Sequence, residues 1–138
     1  MRQSEMKVTL PYNVEMIWNT ITNNLDSSWR SDLSHIEIID ETHFIEHTKD
    51  GFSTEFEITD KIFCQFYAFT MSNKNFQGKW SGKLIKVNEN ETKMIFLEQI
   101  TFKNKIMELI SYLGMNLKKI QEQYFKDLEK ALAKQQEI

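Results

Sequence analysis

Glu98 is the ionisable residue whose setting in this sequence most clearly suggests chemistry. Every second residue around it is apolar, a pattern typical of the buried face of a β-strand. These neighbours are Met94, Phe96, Ile100 and Phe102. A carboxylate on such a face lies inside the protein or lines a cavity, and its pKa rises unless a partner stabilises the anion. It would then orient the polar group of a ligand, or act as a general acid or base in an enzyme. A bulge would instead turn Glu98 outward, an alternative that the apolar Ile95 and Leu97 on the opposite face leave open.

His43 and His47 form a second candidate pair, because an even spacing puts both imidazoles on one face of a strand. Two histidines with a third ligand would suit a transition metal, but the sequence identifies no third ligand, so no metal site is predicted. The sequence also contains no Gly-rich phosphate loop, no paired-cysteine zinc motif and no nucleophile elbow around a serine. It therefore supports no standard hydrolase, kinase or zinc-site assignment. No catalytic residue is assigned, and no cofactor is expected.

Five extended segments must position Glu98, at residues 42–48, 52–60, 63–71, 75–87 and 92–102. Polar, turn-forming residues separate them, which predicts antiparallel strands. The second and fourth have clean apolar faces, formed by Phe52, Thr54, Phe56 and Ile58 and by Phe76, Gly78, Trp80, Gly82 and Leu84. We expect these faces to form the concave side of the sheet. Gly78 and Gly82 either let the sheet bend or leave space for a ligand beside the Trp80 indole. The third segment is apolar on both faces, so its orientation stays open.

Helical segments flank these strands. A first strand ends at Pro11 and is followed by a helix that Asn13 can cap. A short second helix is predicted from Asp26, ahead of a second strand. Residues 104–136 keep a helical apolar period throughout and predict one closing helix of about thirty residues, ~45 Å long. The first half of this helix is apolar over much of its circumference. We expect that half to be the more deeply buried, or to border a cavity.

Composition narrows the class of protein. With 138 residues, the chain is expected to form one domain, residues 1–138, with a single core. Its 17 basic and 20 acidic residues give a net charge of -3, which disfavours binding to nucleic acid. The single cysteine, Cys64, is expected to be a small core residue, and the lack of an apolar run long enough for a leader or membrane span predicts a cytoplasmic protein. Seven methionines and ten phenylalanines indicate a bulky, adaptable interior.

The predicted order of elements is a strand, two helices, six strands and a long helix. Together with the strand that ends at Pro11 and the helix begun by Val14-Glu15-Met16-Ile17-Trp18, it resembles the START-like or SRPBCC superfamily. This superfamily includes polyketide cyclase and dehydrase-related proteins and lipid-transfer domains. The resemblance implies an α+β helix-grip fold, in which a curved antiparallel sheet of about seven strands wraps around a long C-terminal helix and two short helices follow the first strand. It also implies a hydrophobic cavity between helix and sheet. The superfamily has no universal catalytic residues to transfer.

The leading functional hypothesis is the binding of a small hydrophobic or amphipathic ligand in that cavity. The residues expected to line it are Phe56, Ile58, Tyr67, Phe76, Trp80, Phe96, Glu98, Ile110, Leu113 and Leu117. One alternative is a cyclase or dehydratase that uses the same cavity with an acid or base inside it. Another is partner binding of the kind seen in chaperone activators, which requires an exposed apolar patch outside the contact between sheet and helix. The sequence specifies neither the ligand nor the oligomeric state.

Overall fold

Seven antiparallel strands form one sheet in the computed structural model. The structure describes residues 1–137, apart from the Leu113 side chain and the surroundings of Gly114. The order of strands across the sheet is β1-β7-β6-β5-β4-β3-β2. The elements along the chain are β1 (Arg2–Leu10), α1 (Val14–Ile21), β2 (Leu33–Ile38), β3 (His43–Thr48), β4 (Ser53–Ile62), β5 (Phe66–Ser72), β6 (Phe76–Asn88), β7 (Glu91–Phe102), α2 (Lys105–Gly114) and α3 (Leu117–Gln136). The predicted α+β helix-grip fold is confirmed, with three helices as expected but distributed differently along the chain.

The alternation in β6 and β7 decides which side chains face the core. Trp80 on β6 and Phe96 on β7 are buried, whereas the residues directly before and after each of them on its strand are more exposed. Trp80 is paired directly with Glu98, and the pairing of β7 with β1 and with β6 is continuous across that position. Within these described strands there is no bulge to turn Glu98 outward, so the inward orientation is correct.

The orientation of β5, which the sequence left open, is resolved by its neighbours. Tyr67, Phe69 and Met71 point to the inner side, where the Phe69 ring stacks on Trp80 with centroids 4.8 Å apart. The preceding turn lies later than predicted, because β4 continues to Ile62. Cys64 is therefore part of this turn, with a positive φ of 59°, and is only partly buried. It packs against the core from this turn, so the expectation of a small core residue is met only in part.

Helix α1 forms where it was predicted, and the Asn13 side chain caps it by accepting a hydrogen bond from the Glu15 amide at 2.8 Å. The short helix predicted from Asp26 is replaced by a series of turns between residues 22 and 32. Asn23 and Asp26 each accept a hydrogen bond from the backbone amide two residues later. Such local bonds compete with the helical pattern, which explains why turns form here.

The closing segment is two helices instead of one, with the break at Met115 and Asn116. The Asn116 side chain caps α3 by accepting from the Lys119 amide at 3.1 Å. At the end of α2, the Arg2 guanidinium donates to the carbonyl oxygens of Ser111 and Met115 at 3.1 and 2.8 Å. These contacts satisfy backbone groups that a helix end leaves free, so the break is stabilised from both sides.

The break changes the environment of α2. Ile106, Leu109 and Ile110 are 72%, 68% and 60% exposed, so the expectation of a deeply buried first half was wrong. Helix α3 instead covers the inner face of the sheet through the buried side chains of Phe125 and Leu128. Among residues 1–137, no helix combines the length and apolarity needed to cross a membrane.

Gly78 and Gly82 serve close approach within the sheet. A Cβ on Gly78 would lie 2.6 Å from the carbonyl oxygen of Gln99, and one on Gly82 would lie 2.8 Å from the Trp80 ring. Gly82 therefore leaves room for the Trp80 indole itself, and Gly78 leaves room for the backbone of β7.

Candidate ligand cavity

A cavity of about 200 Å³ lies between the inner face of the sheet, the start of α3 and the connection from α1 to β2. The sheet contributes mainly aromatic side chains, including Phe44, Phe56, Tyr67, Phe69, Trp80 and Phe96. Helix α3 contributes Leu117, Gln121 and Tyr124, and the connection contributes Trp29 and Arg30. The wall is therefore apolar over most of its area, with a few polar groups directed into it. This composition is typical of small-molecule sites.

The aromatic rings of the wall pack on one another. Trp80 lies 4.8 Å from Phe96 and 6.1 Å from Tyr124, and Phe96 lies 5.1 Å from Tyr124, all between ring centroids. Phe96 also stacks on Phe125 at 4.4 Å, which ties this group to α3. Aromatic pairs in such tilted and stacked arrangements are worth about 0.5–1.5 kcal/mol each beyond their buried area. This side of the cavity is consequently rigid.

Glu98 is the polar group on that rigid side. It is surrounded by protein atoms yet borders the cavity, and among the described residues none donates a hydrogen bond to its carboxylate. The pKa of Glu98 is raised from its usual 4.5 to about 7, mainly by burial and in part by the nearby Glu46 carboxylate, while Arg30 opposes the rise. Near neutral pH the group is therefore divided between its acid and its anion.

Arg30 is the cation of the site and reaches it from the turns between α1 and β2. Its Nε and Nη2 atoms donate to the two oxygens of Asp32 at 3.1 and 3.0 Å, and its Nη1 lies 3.5 Å from a Glu46 oxygen. The guanidinium also lies over the Tyr124 ring, 5.0 Å from the centroid. Burial alone would lower the pKa of Arg30, but the Glu46 and Asp32 carboxylates raise it, so the side chain stays protonated.

Glu46 and Asp127 hold this charged group in place. Glu46 lies on the inner face of β3, and burial raises its pKa although Arg30 opposes the rise. Asp127 of α3 accepts hydrogen bonds from the amide and hydroxyl of Ser31, both at 2.8 Å. Burial acts to raise the pKa of Asp127, but the hydrogen bonds from Ser31 and Gln123 and the charge of Arg30 together outweigh it, and the pKa is lowered. The residue next to Arg30 is thus fastened to the helix that covers the cavity.

The structure brings seven of the ten predicted ligand-binding residues to this cavity: Phe56, Tyr67, Phe76, Trp80, Phe96, Glu98 and Leu117. Ile58 packs against the core beside it without lining it. Ile110 belongs to the exposed face of α2, because the helix break removes it from the sheet. The side chain of Leu113 lies outside the described part of the structure. Trp29 also borders the cavity, whereas Tyr112 lies outside it against Arg2.

Sequence reasoning did not identify Arg30, Glu46 or Tyr124 as site residues. A signal for Glu46 exists, because it shares a strand face with Phe44 just as Glu98 does with Phe96. Tyr124 lies on the predicted apolar stripe of the closing helix and so was expected only to face the sheet. Arg30 lies in turns, where no periodicity indicates the direction of a side chain.

His43 and His47, the candidate pair on β3, lie on the outer face of the sheet. The Nδ1 of His43 is 2.8 Å from an Asp40 oxygen, and His47 contacts Glu37 and Ser53 at 3.0 and 2.8 Å. The hydrogen bond that the His43 ring donates to the Asp40 carboxylate raises the pKa of His43. Within residues 1–137, no group of three or more histidine, cysteine, aspartate or glutamate side chains has an arrangement suited to a metal ion.

Comparisons with solved structures identify the fold. The chain superimposes on a conserved protein from Geobacillus kaustophilus with a TM-score of 0.81 and 17% identity, over 96% of each chain. A START superfamily protein from Mycobacterium smegmatis matches with a TM-score of 0.77 and 10% identity, over 96% of this chain and 97% of the other. The Zhui aromatase/cyclase from a Streptomyces species matches with a TM-score of 0.64 and 11% identity, over 75% of this chain and 69% of the other.

At the level of sequence, no family model and no curated protein matches. The sequence identities to these solved structures are too low to imply a shared activity, so the superpositions are evidence for the fold alone. Sheet order, helix placement and these superpositions agree, and the chain has the START-like helix-grip fold.

Proposed function

We propose that this protein binds a small hydrophobic or amphipathic molecule in the cavity between the sheet and α3. The observation that carries the proposal is a cavity with an aromatic wall and one carboxylate, Glu98, that has no donor among the described residues. A carboxylate that is partly removed from water and accepts no hydrogen bond is costly to ionise, and a ligand that donates to it lowers that cost. The cavity thus combines apolar area for affinity with a polar group for orientation.

Size restricts the ligand. Pockets for drug-sized molecules usually occupy roughly 300–1,000 Å³, and a cavity of roughly 150 Å³ holds benzene. At about 200 Å³, this cavity accommodates a molecule with one ring and short substituents in the conformation described here. Because the single cysteine fits a reducing compartment, we further propose that binding takes place in the cytoplasm.

Native mass spectrometry of protein purified without denaturant tests the proposal. We expect an additional mass on the folded protein that is lost on denaturation. Thr54 borders the cavity and Glu55, its neighbour on β4, is exposed on the outer face, so they offer a matched pair of substitutions. Thr54→Phe should fill the cavity and abolish the adduct, whereas Glu55→Phe should retain it. A wild-type protein that carries no adduct and binds no small apolar probe would contradict the proposal.

Catalysis in the same cavity is the second candidate function. It is favoured by the position of Glu98 at the cavity, where burial raises its pKa to about 7, since a general acid or base works best when its pKa is near the operating pH. The likeness in fold to an aromatase/cyclase is consistent with it. In this case Glu98→Gln should abolish turnover while the neutral substrate still binds. An unchanged turnover in that variant would exclude Glu98 as the acid or base.

A further inference from the structure

The cavity has an excess of negative charge. Among the described residues that border it, Arg30 is the cation, whereas Asp26, Asp32, Glu46 and Glu98 are carboxylates. In a site partly removed from water, such an excess is felt more strongly than on the surface. The charge of a ligand should therefore affect its affinity.

Arg30 is not free to receive an anion. Its Nε and Nη2 atoms already donate to Asp32, and its Nη1 points to Glu46. A ligand carboxylate or phosphate would have to compete with two protein carboxylates for these donors, and it would also lie near Glu98. Asp26 is likewise engaged, because it accepts hydrogen bonds from the Ser28 amide and hydroxyl at 3.0 and 2.6 Å. Glu98 is the carboxylate that remains unpartnered.

The surroundings of Glu98 suit a cation. It is paired across the sheet with Trp80, and Phe96 lies two residues earlier on the same strand face. Tyr124 packs on both of these rings. Aromatic faces attract ammonium groups, most strongly when water is excluded, and a carboxylate provides the complementary charge-assisted hydrogen bond.

We propose that the cavity selects a small amphipathic ligand that carries a protonated amine, with its ammonium group on Glu98 and its apolar part against Trp80, Phe96 and Tyr124. The inference rests on the proposed function, because it assumes that the cavity holds a ligand. It goes further by naming the chemical class and by excluding fatty acids and other anions as preferred ligands.

The proposal predicts a specific dependence on pH. The groups that face Glu98 from the surrounding elements are Arg30, Asp32, Glu46, Tyr67 and Tyr124, together with Asp26 at the cavity border. The tyrosines have raised pKa values through burial and stay neutral, and the arginine stays charged. Affinity for an amine should therefore rise as Glu98 loses its proton around pH 7, and binding should release protons to the buffer.

Three probes of nearly equal size and different charge test the proposal: benzylamine, benzyl alcohol and benzoate. Calorimetric titrations at pH 8 should give benzylamine an affinity about tenfold above that of benzyl alcohol, since a charge-assisted bond is worth more than a neutral one. Benzoate should bind more weakly than both. At pH 5 the advantage of benzylamine over benzyl alcohol should fall to about twofold or less.

Glu98→Gln should lower the affinity for benzylamine to that for benzyl alcohol. The affinity of this variant for benzyl alcohol should stay within about twofold of the wild-type value. Glu55→Gln, on the outer face, is the control and should change neither. If benzyl alcohol binds in the cavity but benzylamine gains nothing over it, or if benzoate binds best, the inference is wrong and the proposed function stands. If none of the three binds, the inference is wrong, and the proposed function fails with it when native mass spectrometry also finds no adduct. The wild-type comparison at two pH values decides the question even if a variant fails to fold.

Discussion

Glu98→Gln should make the protein more stable at neutral and alkaline pH. The pKa of Glu98 in the folded protein is about 7, against 4.5 ordinarily. Between these values the folded state binds more protons than the unfolded state, so the stability contributed by this group falls as pH rises from about 4.5 to about 7. Each unit of pKa corresponds to ~1.4 kcal/mol, which gives ~3 kcal/mol in total. Because Glu98 borders the cavity and is only partly removed from solvent, we expect a difference of about 2–3 kcal/mol.

Urea titrations of both proteins across the range from acid to alkaline pH measure this difference. Near pH 4.5 the carboxylic acid and the amide are similar in shape and charge, so the two proteins should have nearly equal stability. Above about pH 8 the glutamine variant should be more stable by about 2–3 kcal/mol. Glu55→Gln should show no such divergence. A difference that stays constant with pH would refute the burial of Glu98, as would a variant that is less stable at high pH.

Three further substitutions test the packing around the cavity. Trp80→Ala should lose about 3–5 kcal/mol in denaturant titrations, as truncation of a buried aromatic does, and a loss below about 1 kcal/mol would refute the inward face of β6. Gly82→Ala should cost about 1–3 kcal/mol and shift tryptophan fluorescence, because its Cβ would meet the Trp80 ring at 2.8 Å; unchanged emission would contradict that contact. Asp127→Asn should cost about 1–2 kcal/mol at neutral pH through weaker bonds to Ser31. The pKa of Asp127 is lowered in the folded protein, so this cost should disappear as pH falls through that pKa; a cost independent of pH would contradict the account.

The rigid side of the cavity was predictable from sequence because strand residues alternate with a period of two. That period places Trp80, Phe96 and Glu98 on one side of the sheet, and the structure shows them there. Glu46 follows the same rule on β3, where Phe44 marks the inner face. Glu98 is thus visible as an interruption of an apolar strand face, whereas Glu46 shares its face of β3 with a single apolar residue and gives a weaker signal.

Other features depend on contacts between distant parts of the chain. Glu46 on β3 accepts from the Arg30 side chain at the cavity, and Asp127, nearly a hundred residues later, holds the adjacent Ser31. The apolar period continues through the break before Asn116, so the pattern alone predicts a single helix. The break is stabilised by Arg2, which lies on a strand at the opposite end of the sequence. Local patterns carry no information about such partners.

Methyl NMR with benzylamine tests the central claim, that a ligand occupies the cavity beneath α3. Met71 and Ile100 are buried at the cavity, whereas Ile106 and Leu109 mark the exposed apolar face of α2. We predict intermolecular NOEs from the benzylamine ring to the methyl groups of Met71 and Ile100, and saturable shifts of both signals. NOEs confined to Ile106 and Leu109, with the cavity signals unmoved, would contradict the account and place the binding surface on α2.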